Sequence, residues 1–346
     1  MKQYNAKNIL NIALAGHGGA GKTSIIESML YLSGASDRLG KIADGNTICD
    51  FDPEEVKRKA SVSTAVAPVE WKNKKLNFID TPGLFDFEGG LWEGVRAADT
   101  VMIAVSGKNG VSVGTEKAVK AAESRGLSKV FFVNGLCDES ARFYRVFETL
   151  KASFGPSVCP VVVPFIVDGQ ANCYVNLLEY KAYAYSPDGK VSEVPMPDMG
   201  DRLEGLRTAI YEAVAETSDE MFEKYFSGEA FTPEEVIVGV SRGVKSGAIS
   251  PVFCGDAINT FGIDQLLNGL VWLAPSAAEK SDENGLDPDG NMVELSVNED
   301  GAPAAFVFKT IADPFVGKLS YFKVISGTVS PDTPLINLRH GKQEQI

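Results

Sequence analysis

The residues with the clearest chemical potential form the octapeptide Gly16-His17-Gly18-Gly19-Ala20-Gly21-Lys22-Thr23, which fits the phosphate-binding pattern GxxxxGK[ST]. In such a loop the glycines let the backbone wrap an anion, and backbone N–H groups hold the phosphate oxygens. We expect Lys22 to reach the β- and γ-phosphates and Thr23 to bind Mg²⁺. Because the pattern also arises by chance, the neighbouring elements decide what it means.

The flanks of this loop are those of a phosphate cradle. An apolar run, Ile9 to Ala15, predicts a buried strand before the loop, and a helical pattern runs from Ser24 to Leu32 after it. A helix N-terminus adds favourable potential for an anion. We therefore expect all residues from Gly16 through Ser24 to contact a nucleotide.

A second candidate element is Asp80-Thr81-Pro82-Gly83, which follows the apolar run Leu76 to Ile79. At a strand end, the Asp80 carboxylate can hold Mg²⁺ through water, and the Gly83 N–H can meet a γ-phosphate. An ordinary Asp-Thr-Pro-Gly turn is the alternative. Its position downstream of the phosphate loop favours the nucleotide-site interpretation.

Apolar runs and helical patterns alternate along much of the chain. Besides those above, strands are predicted at Thr100 to Val105, Val130 to Val133 and Pro251 to Cys254, and helices at Thr115 to Ser124, Arg142 to Ala152 and Gly262 to Leu273. This order predicts an α/β fold with a doubly wound, mostly parallel sheet, whose ligand lies at the carboxyl ends of the strands.

The alternation breaks between residues 165 and 250, which predicts an inserted α+β subdomain. Its strands are expected at Tyr174 to Leu178, Lys181 to Tyr185 and Val191 to Val194, around the turn 186–189, with helices from about Asp201. A polar stretch, 277–291, is interpreted as a linker, and β-patterned segments at Ala304 to Ile311 and Lys318 to Ser326 predict the start of a β-barrel. Three domains are predicted: the first combines 1–164 with 251–276, the second is 165–250, and the third is 277–346. The lack of a stop signal at the end of the sequence predicts a fragment of a longer protein.

Composition excludes several classes of function. With 46 acidic and 33 basic side chains and a net charge of −13, general nucleic-acid binding is disfavoured, and no direct DNA binding is expected. The five cysteines form no CxxC pair, and only His17 and His340 could supplement them as metal ligands. We interpret them as reduced thiols of a cytoplasmic protein. No apolar stretch is long enough to span a bilayer.

The segment Asp50 to Ser63 resembles the first switch of the translational GTPases, and the whole chain resembles the elongation factor G family, particularly its divergent elongation-factor-G-like branch. The similarity covers the phosphate loop and both switch segments. It extends over the insertion and the start of the barrel, through Val167-Asp168-Gly169, Asn176-Leu177-Leu178-Glu179, Ala213-Val214-Ala215-Glu216-Thr217 and Asp313-Pro314-Phe315-Val316-Gly317-Lys318-Leu319.

This resemblance implies a domain that binds GTP or GDP with Mg²⁺ and acts on the ribosome, whose large subunit stimulates hydrolysis. It places Ser61 at the position of the switch threonine, so that Ser61 would join Thr23 and Asp80 in the Mg²⁺ shell. A serine hydroxyl can serve that role. The alternative is a solvated loop serine.

The base-reading element departs from the family pattern Asn-Lys-x-Asp, since this chain has Asn134-Gly135-Leu136-Cys137-Asp138. A thiol at Cys137 is a poor acceptor for guanine. Losing charge-assisted hydrogen bonds of about 1.5–3 kcal/mol predicts a loss in affinity of roughly ten- to hundredfold. Asp138 could replace the contact through a small bulge, or it could be a loop or helix-capping residue. Restoring the carboxylate with Cys137→Asp is expected to tighten guanine binding.

The fifth element of the family, Gly-Ser-Ala, is Gly255-Asp256-Ala257 here. The Ala257 N–H could still donate to guanine O6. A carboxylate at Asp256 would suit an amino group, as on adenine, if it faced the base. The alternative is that Asp256 caps the next loop or points to solvent.

The catalytic position departs as well, because Leu84 stands where the family has a water-positioning histidine. Leucine neither donates nor accepts a hydrogen bond, so slow GTP hydrolysis is expected. His17 is expected to be a structural loop residue, and Gly19 replaces an aspartate common in the family.

Two functions remain open. One is an elongation-factor-G-like GTPase that acts through switch loops, and the other is a degenerate switch with weakened guanine specificity and little hydrolysis. An unrelated kinase or ATPase is disfavoured.

Overall fold

The computed structural model describes residues 2–186, 189–279, 282–287, 289–313 and 315–345. The chain forms two compact units, Leu10–Pro275 and Met1–Ile9 with Ser276–Ile346. Within the described residues, no helix is both long and apolar enough to cross a membrane.

The larger unit contains eleven of the strands in the described residues. They are β1 (Ile9–Gly16), β2 (Ala65–Trp71), β3 (Lys74–Asp80), β4 (Thr100–Ser106), β5 (Ser128–Asn134), β6 (Val158–Pro160), β7 (Val162–Val167), β8 (Gln170–Asn176), β9 (Lys181–Tyr185), β10 (Val191–Val194) and β11 (Ser250–Cys254).

Helices connect most of these strands. They are α1 (Lys22–Leu32), α2 (Pro53–Arg58), α3 (Glu88–Ala97), α4 (Val113–Ser124), α5 (Phe143–Phe154), α6 (Asp201–Ala215), α7 (Asp219–Phe226), α8 (Pro233–Ser246) and α9 (Ile263–Leu273). Short 3₁₀ turns lie at Ala6–Asn8, Ile42–Asp44, Phe85–Phe87 and Ala277–Glu279.

Seven strands form the central sheet in the order β2-β3-β1-β4-β5-β11-β6. The pairs β1–β4, β4–β5, β5–β11 and β11–β6 are parallel, whereas the edge strand β2 is antiparallel to β3. The inner strands are buried along nearly their whole length because helices cover a parallel sheet on both faces. The predicted α/β fold is confirmed, and the phosphate loop follows the carboxyl end of β1, where this architecture binds ligands.

The insertion carries a second, antiparallel sheet in the order β10-β9-β8-β7. The predicted strand Tyr174 to Leu178 starts earlier, at Gln170, and ends at Asn176. It ends there because the Asn176 side chain accepts hydrogen bonds from the backbone N–H groups of Leu178 and Glu179, which closes a turn. Pro187 and Asp188 of the predicted turn lie outside the described residues.

Several elements of the structure are missing from the sequence-based assignment, and two of them have a clear physical reason. The strand β2 is absent from that assignment because Pro68 interrupts its pattern, and an edge strand tolerates a proline. The stretch interpreted as a linker contains a strand, β12 (Glu283–Leu286), which pairs with β13 (Met292–Leu295). The Asp287 carboxylate accepts from the Asn291 N–H, so Asp and Asn residues here take part in turn contacts.

The smaller unit continues with antiparallel hairpins at the start of the β-barrel. Strand β14 (Ala304–Asp313) pairs with β15 (Gly317–Ser326), and β16 (Pro334–Asn337) pairs with β17 (Lys342–Gln345). The Asp313 carboxylate closes the first hairpin by accepting from the N–H groups of Phe315 and Val316.

Candidate nucleotide-binding site

Backbone geometry explains the glycines of the phosphate loop. Gly16 has φ +138°, and a Cβ there would lie 2.4 Å from the carbonyl oxygen of Ala104 on the neighbouring strand. Gly21 has φ +86°, and a Cβ there would lie 2.2 Å from the Asn134 amide. Only glycine fits either position.

A cavity of about 620 Å³ opens beside this loop. Most of the residues predicted from sequence line it, namely Gly18, Gly19, Ala20, Gly21, Lys22, Thr23, Ser24, Ser61, Gly83, Leu84, Asn134, Gly135, Cys137, Asp138 and Asp256. Its lining also includes Asp50, Lys108, Ile258 and Asn259. Gly16, His17, Asp80, Gly255 and Ala257 are not part of this lining.

Lys22 is held at the neck of the loop. Its ammonium group donates to the carbonyl oxygens of Gly16 and His17, each at 3.1 Å. Burial lowers the pKa of Lys22, while Asp80 and Asp50 oppose that change by stabilising the charged form. The cation is thereby aimed at the space where phosphate charge would lie.

Three oxygen-bearing side chains meet next to Lys22. The Thr23 hydroxyl donates to Asp80 Oδ2 at 2.7 Å, and it lies 3.2 Å from the Ser61 hydroxyl. Asp80 is only 1% exposed, and its Oδ1 is buried with no hydrogen-bond partner among the described residues. Burial raises the pKa of Asp80 to about 7, although Lys22 opposes the shift. An unpartnered carboxylate oxygen beside two hydroxyls suits a hard cation such as Mg²⁺.

At the other end of the cavity, Asn134 joins two loops. Its amide donates to the Ala20 carbonyl oxygen at 3.0 Å, and its Oδ1 accepts from the Ala257 N–H at 2.9 Å. The Ala257 N–H, which the sequence assigned to guanine O6, is therefore engaged with Asn134 in this structure.

The Asp256 carboxylate is 4% exposed and binds the protein itself. Its Oδ2 accepts from the Cys137 N–H at 3.2 Å, and its Oδ1 accepts from the Asn259 N–H and side-chain amide at 3.0 and 2.9 Å. Of the two interpretations of Asp256, the structure supports the loop cap. Partial burial and the Asp256 carboxylate raise the pKa of the Cys137 thiol to about 11, so this thiol stays protonated at neutral pH.

Asp138 also turns towards the protein. Its Oδ1 accepts from the Ser140 N–H at 2.8 Å, and its Oδ2 lies 3.4 Å from the Lys108 ammonium. The Ser140 N–H holds the pKa of this carboxyl below its usual range. These contacts favour the alternative in which Asp138 is a loop residue.

Comparisons with known proteins agree with this geometry. Residues 7–276 match the family model described as the elongation factor Tu GTP binding domain. The chain belongs to this family.

The similarity extends beyond the nucleotide-binding domain. The chain is 34% identical over 340 residues to an elongation factor G-like protein of Thermotoga maritima, a match that covers 98% of this chain and 48% of that protein. A crystal structure of a Thermus thermophilus protein superposes with a TM-score of 0.86 at 32% identity, over 99% of this chain and 48% of that chain. The resemblance to the elongation-factor-G-like translational GTPases is thereby confirmed, and the chain spans about half the length of these relatives.

In this elongation-factor-G-like chain, the position of the family's histidine is apolar. Leu84 is 40% exposed and lines the cavity, and a Cβ on Gly18 would lie 3.2 Å from its Cδ2. It thus reaches the phosphate loop but offers no hydrogen bond. His17 contributes its carbonyl oxygen to Lys22, and its ring lies 5.8 Å from that of Phe85, which agrees with a structural role.

Asp50 is the site residue that sequence reasoning did not single out. It is buried at the cavity wall, and its Oδ2 has no hydrogen-bond partner among the described residues. Burial raises its pKa, while a hydrogen bond with Ser61 and the charge of Lys22 oppose the shift. No spacing rule reveals it, because Asp50 and Ser61 meet only through the path of the loop between them. Part of that path was readable, since Asp52-Pro53-Glu54-Glu55 is a helix-start signal.

Proposed function

We propose that this chain binds a guanine nucleotide with Mg²⁺ and serves as the switch domain of an elongation-factor-G-like GTPase that acts on the ribosome, in translocation or a related step. The single observation that carries the proposal is the meeting of Thr23, Asp80 and Ser61 beside Lys22. These residues come from the phosphate loop, the end of β3 and the first switch segment. A movement of any of these three segments would therefore change the same metal site.

Bound Mg²⁺ would supply charge neutralisation at the β- and γ-phosphates. Thr23, Asp80 and Ser61 would hold it, and the unpartnered Asp80 Oδ1 gives it a site. The Lys22 ammonium binds and orients the phosphates from the neck of the loop.

Gly83 and Ser61 report the state of the nucleotide. A Cβ on Gly83 would lie 2.3 Å from Lys22 Nζ and 2.8 Å from the Gly18 nitrogen, so only glycine allows this backbone to approach the phosphate loop. A γ-phosphate contacting the Gly83 N–H and the metal held by Ser61 would order both switch segments together. Ordered segments would present the ribosome-binding surface.

A second candidate function is a degenerate switch with weakened guanine specificity and little hydrolysis. It is favoured by the base end of the cavity, where the carboxylates of Asp138 and Asp256 both bind protein donors and Cys137 keeps its proton. Leu84, which cannot position water, favours it too. The two candidates share the phosphate and metal site.

Calorimetric titration with GDP, GTP, ADP and ATP in the presence of Mg²⁺ separates these functions. A strong guanine preference supports the first, whereas equal affinity for adenine and guanine nucleotides supports the second. Thr23→Ala should abolish the Mg²⁺ dependence of binding in either case. If the unmodified chain binds none of the four nucleotides, both candidates are refuted. Turnover measured with and without ribosomes then tests the partner.

We also propose the domain division 1–164 with 251–276, 165–250 and 277–346, and a cytoplasmic location, which suits a ribosomal partner. Domain-deletion variants assayed for nucleotide binding test the division. Removal of 277–346 should leave the phosphate site intact, because the described contacts of that site all lie within Leu10–Pro275.

A further inference from the structure

Two buried glutamates bind the backbone of the segment that carries Asp50 and Ser61. One is Glu27 on α1, and the other is Glu55 on α2. We propose that Glu55 is the positioning residue that places the Ser61 hydroxyl at the metal site, with Glu27 fixing the opposite arm of the same segment. The proposal rests on the proposed function, since it assigns these residues to the Mg²⁺ site described there.

The Glu55 side chain joins both ends of a loop. The residue is 2% exposed. Its Oε1 accepts from the backbone N–H groups of Val62 and Ser63 at 3.0 and 3.1 Å, and its Oε2 accepts from the Asp52 N–H at 3.3 Å. Fixing the two residues after Ser61 fixes Ser61 itself, whose hydroxyl lies 3.2 Å from that of Thr23.

Glu27 makes the matching contact on the other arm. It is fully buried, and its Oε1 accepts from the N–H groups of Ile48 and Cys49 at 2.6 and 3.3 Å. Gly40 lies so close that a Cβ there would be 2.1 Å from Glu27 Oε2. Glu27 belongs to the helix that begins at Lys22. By binding the Cys49 N–H, it fixes the position of the following residue, Asp50, relative to that helix.

The two arms converge at the metal site, where Asp50 and Ser61 line the same cavity as Lys22 and Thr23. Buried charged acceptors bind backbone N–H groups strongly, and leaving such donors without a partner is costly. Removal of the Glu55 carboxylate should therefore release the Ser61 end of the segment. The effect should fall on the triphosphate state, because Ser61 completes the Mg²⁺ shell when the γ-phosphate is present.

The first measurement needs no nucleotide. Amide hydrogen exchange at Val62 and Ser63 is compared in the unmodified chain, Glu55→Ala, Glu55→Gln and the control Glu54→Ala, which removes a neighbouring exposed glutamate paired with Arg58. We expect exchange about tenfold faster in Glu55→Ala, and unchanged exchange in Glu54→Ala. Glu55→Gln keeps an oxygen that can accept both N–H groups, so it should retain most of the protection. If Glu55→Ala fails to fold, Glu55→Asp takes its place, because its shorter side chain withdraws the acceptor from Val62 and Ser63, and unchanged exchange in that variant likewise overturns the proposal. Unchanged exchange in Glu55→Ala overturns the proposal.

The second measurement is a Mg²⁺ titration of binding to GDP and to a non-hydrolysable GTP analogue. We expect Glu55→Ala to raise the half-saturating Mg²⁺ concentration about tenfold with the analogue and by less than about twofold with GDP. Equal weakening with both nucleotides, or none with the analogue, overturns the positioning role even if exchange is faster. If the unmodified chain binds neither guanine nucleotide, the proposed function fails and the role at the metal site fails with it. If the unmodified chain binds guanine nucleotides but Glu55→Ala does not show the expected change, only the role of Glu55 is refuted, and the proposed function stands.

Discussion

Restoring the family aspartate at Cys137 should not by itself restore guanine affinity, because the structure places the Asp256 carboxylate beside this position and so revises the expectation from sequence. The Cys137 N–H donates to Asp256 Oδ2 at 3.2 Å, and its thiol lies in the field of the same carboxylate. Cys137→Asp therefore places a second carboxylate beside the first. We expect guanine affinity to be recovered only when Asp256→Ser is added, which also recreates the family's Gly-Ser-Ala sequence.

The magnitudes nearly cancel in the single variant. Two charge-assisted hydrogen bonds to guanine favour binding by about 1.5–3 kcal/mol each. Two like charges about 4 Å apart cost about 4 kcal/mol at the effective dielectric of a protein surface. The free chain should relieve this repulsion by turning the new carboxylate away from Asp256, and binding guanine would have to restore it. Removing that repulsion with Asp256→Ser leaves the gain of about 3–6 kcal/mol, which corresponds to about a hundredfold or more in affinity for GDP.

Calorimetric titration with GDP and ADP tests this cycle in the unmodified chain, both single variants and the double variant. Asp256→Ser alone is the control for the lost contacts to Asn259 and to the Cys137 N–H. The expected order of GDP affinity places the double variant first, with no comparable gain for ADP. If Cys137→Asp alone tightens GDP binding as much as the double variant, the opposition assigned to Asp256 is wrong.

Three further predictions concern single side chains. Leu84→His should raise the rate of GTP hydrolysis by about 10²-fold or more, measured as phosphate release, since a histidine here can orient water; an unchanged rate would mean that another group already does so. Asp138→Asn should change GDP affinity by less than about twofold in calorimetry, because this carboxylate at the cavity lining is already engaged by Ser140 and Lys108; a large loss would show that Asp138 reads the base. The pKa of Asp80 rises from 3.8 unfolded to about 7 folded, so the native chain binds the extra proton between these values and the contribution of Asp80 to stability decreases as pH rises from about 4 to 7, by at most about 4 kcal/mol. Denaturant unfolding without Mg²⁺ should show this decrease of stability with pH, and the decrease should be smaller in Asp80→Asn, where only the other buried acids such as Asp50 still contribute to it.

The central sheet and the phosphate site were readable from sequence because their signals are local. Apolar runs such as Thr100 to Val105 became β4, and the pattern ending in Lys22-Thr23 identified the loop, since each depends only on neighbouring residues. Asp80 was found through its position after a strand. The carboxyl ends of parallel strands meet at one edge of a sheet, so such a position predicts proximity.

What the sequence did not reveal depends on contacts between distant residues. Glu27 and Glu55 look like ordinary acids of helix surfaces, and only the folded path of the segment shows that backbone N–H groups converge on them. The orientation of Asp256 depended in the same way on the neighbouring loop, which brings the Cys137 N–H to it. Composition also misled at Asp287, whose carboxylate closes a hairpin.

The Asn134 side chain touches the phosphate loop with its amide and the Ala257 loop with its oxygen. The cavity therefore does not consist of two separable halves, one for phosphates and one for the base. A displacement of either loop is transmitted through a single rigid amide, so the two affinities should be thermodynamically linked. Substitutions that change the base preference of this chain should therefore also change its affinity for phosphate. A double-mutant cycle across Asn134 would give the size of that linkage.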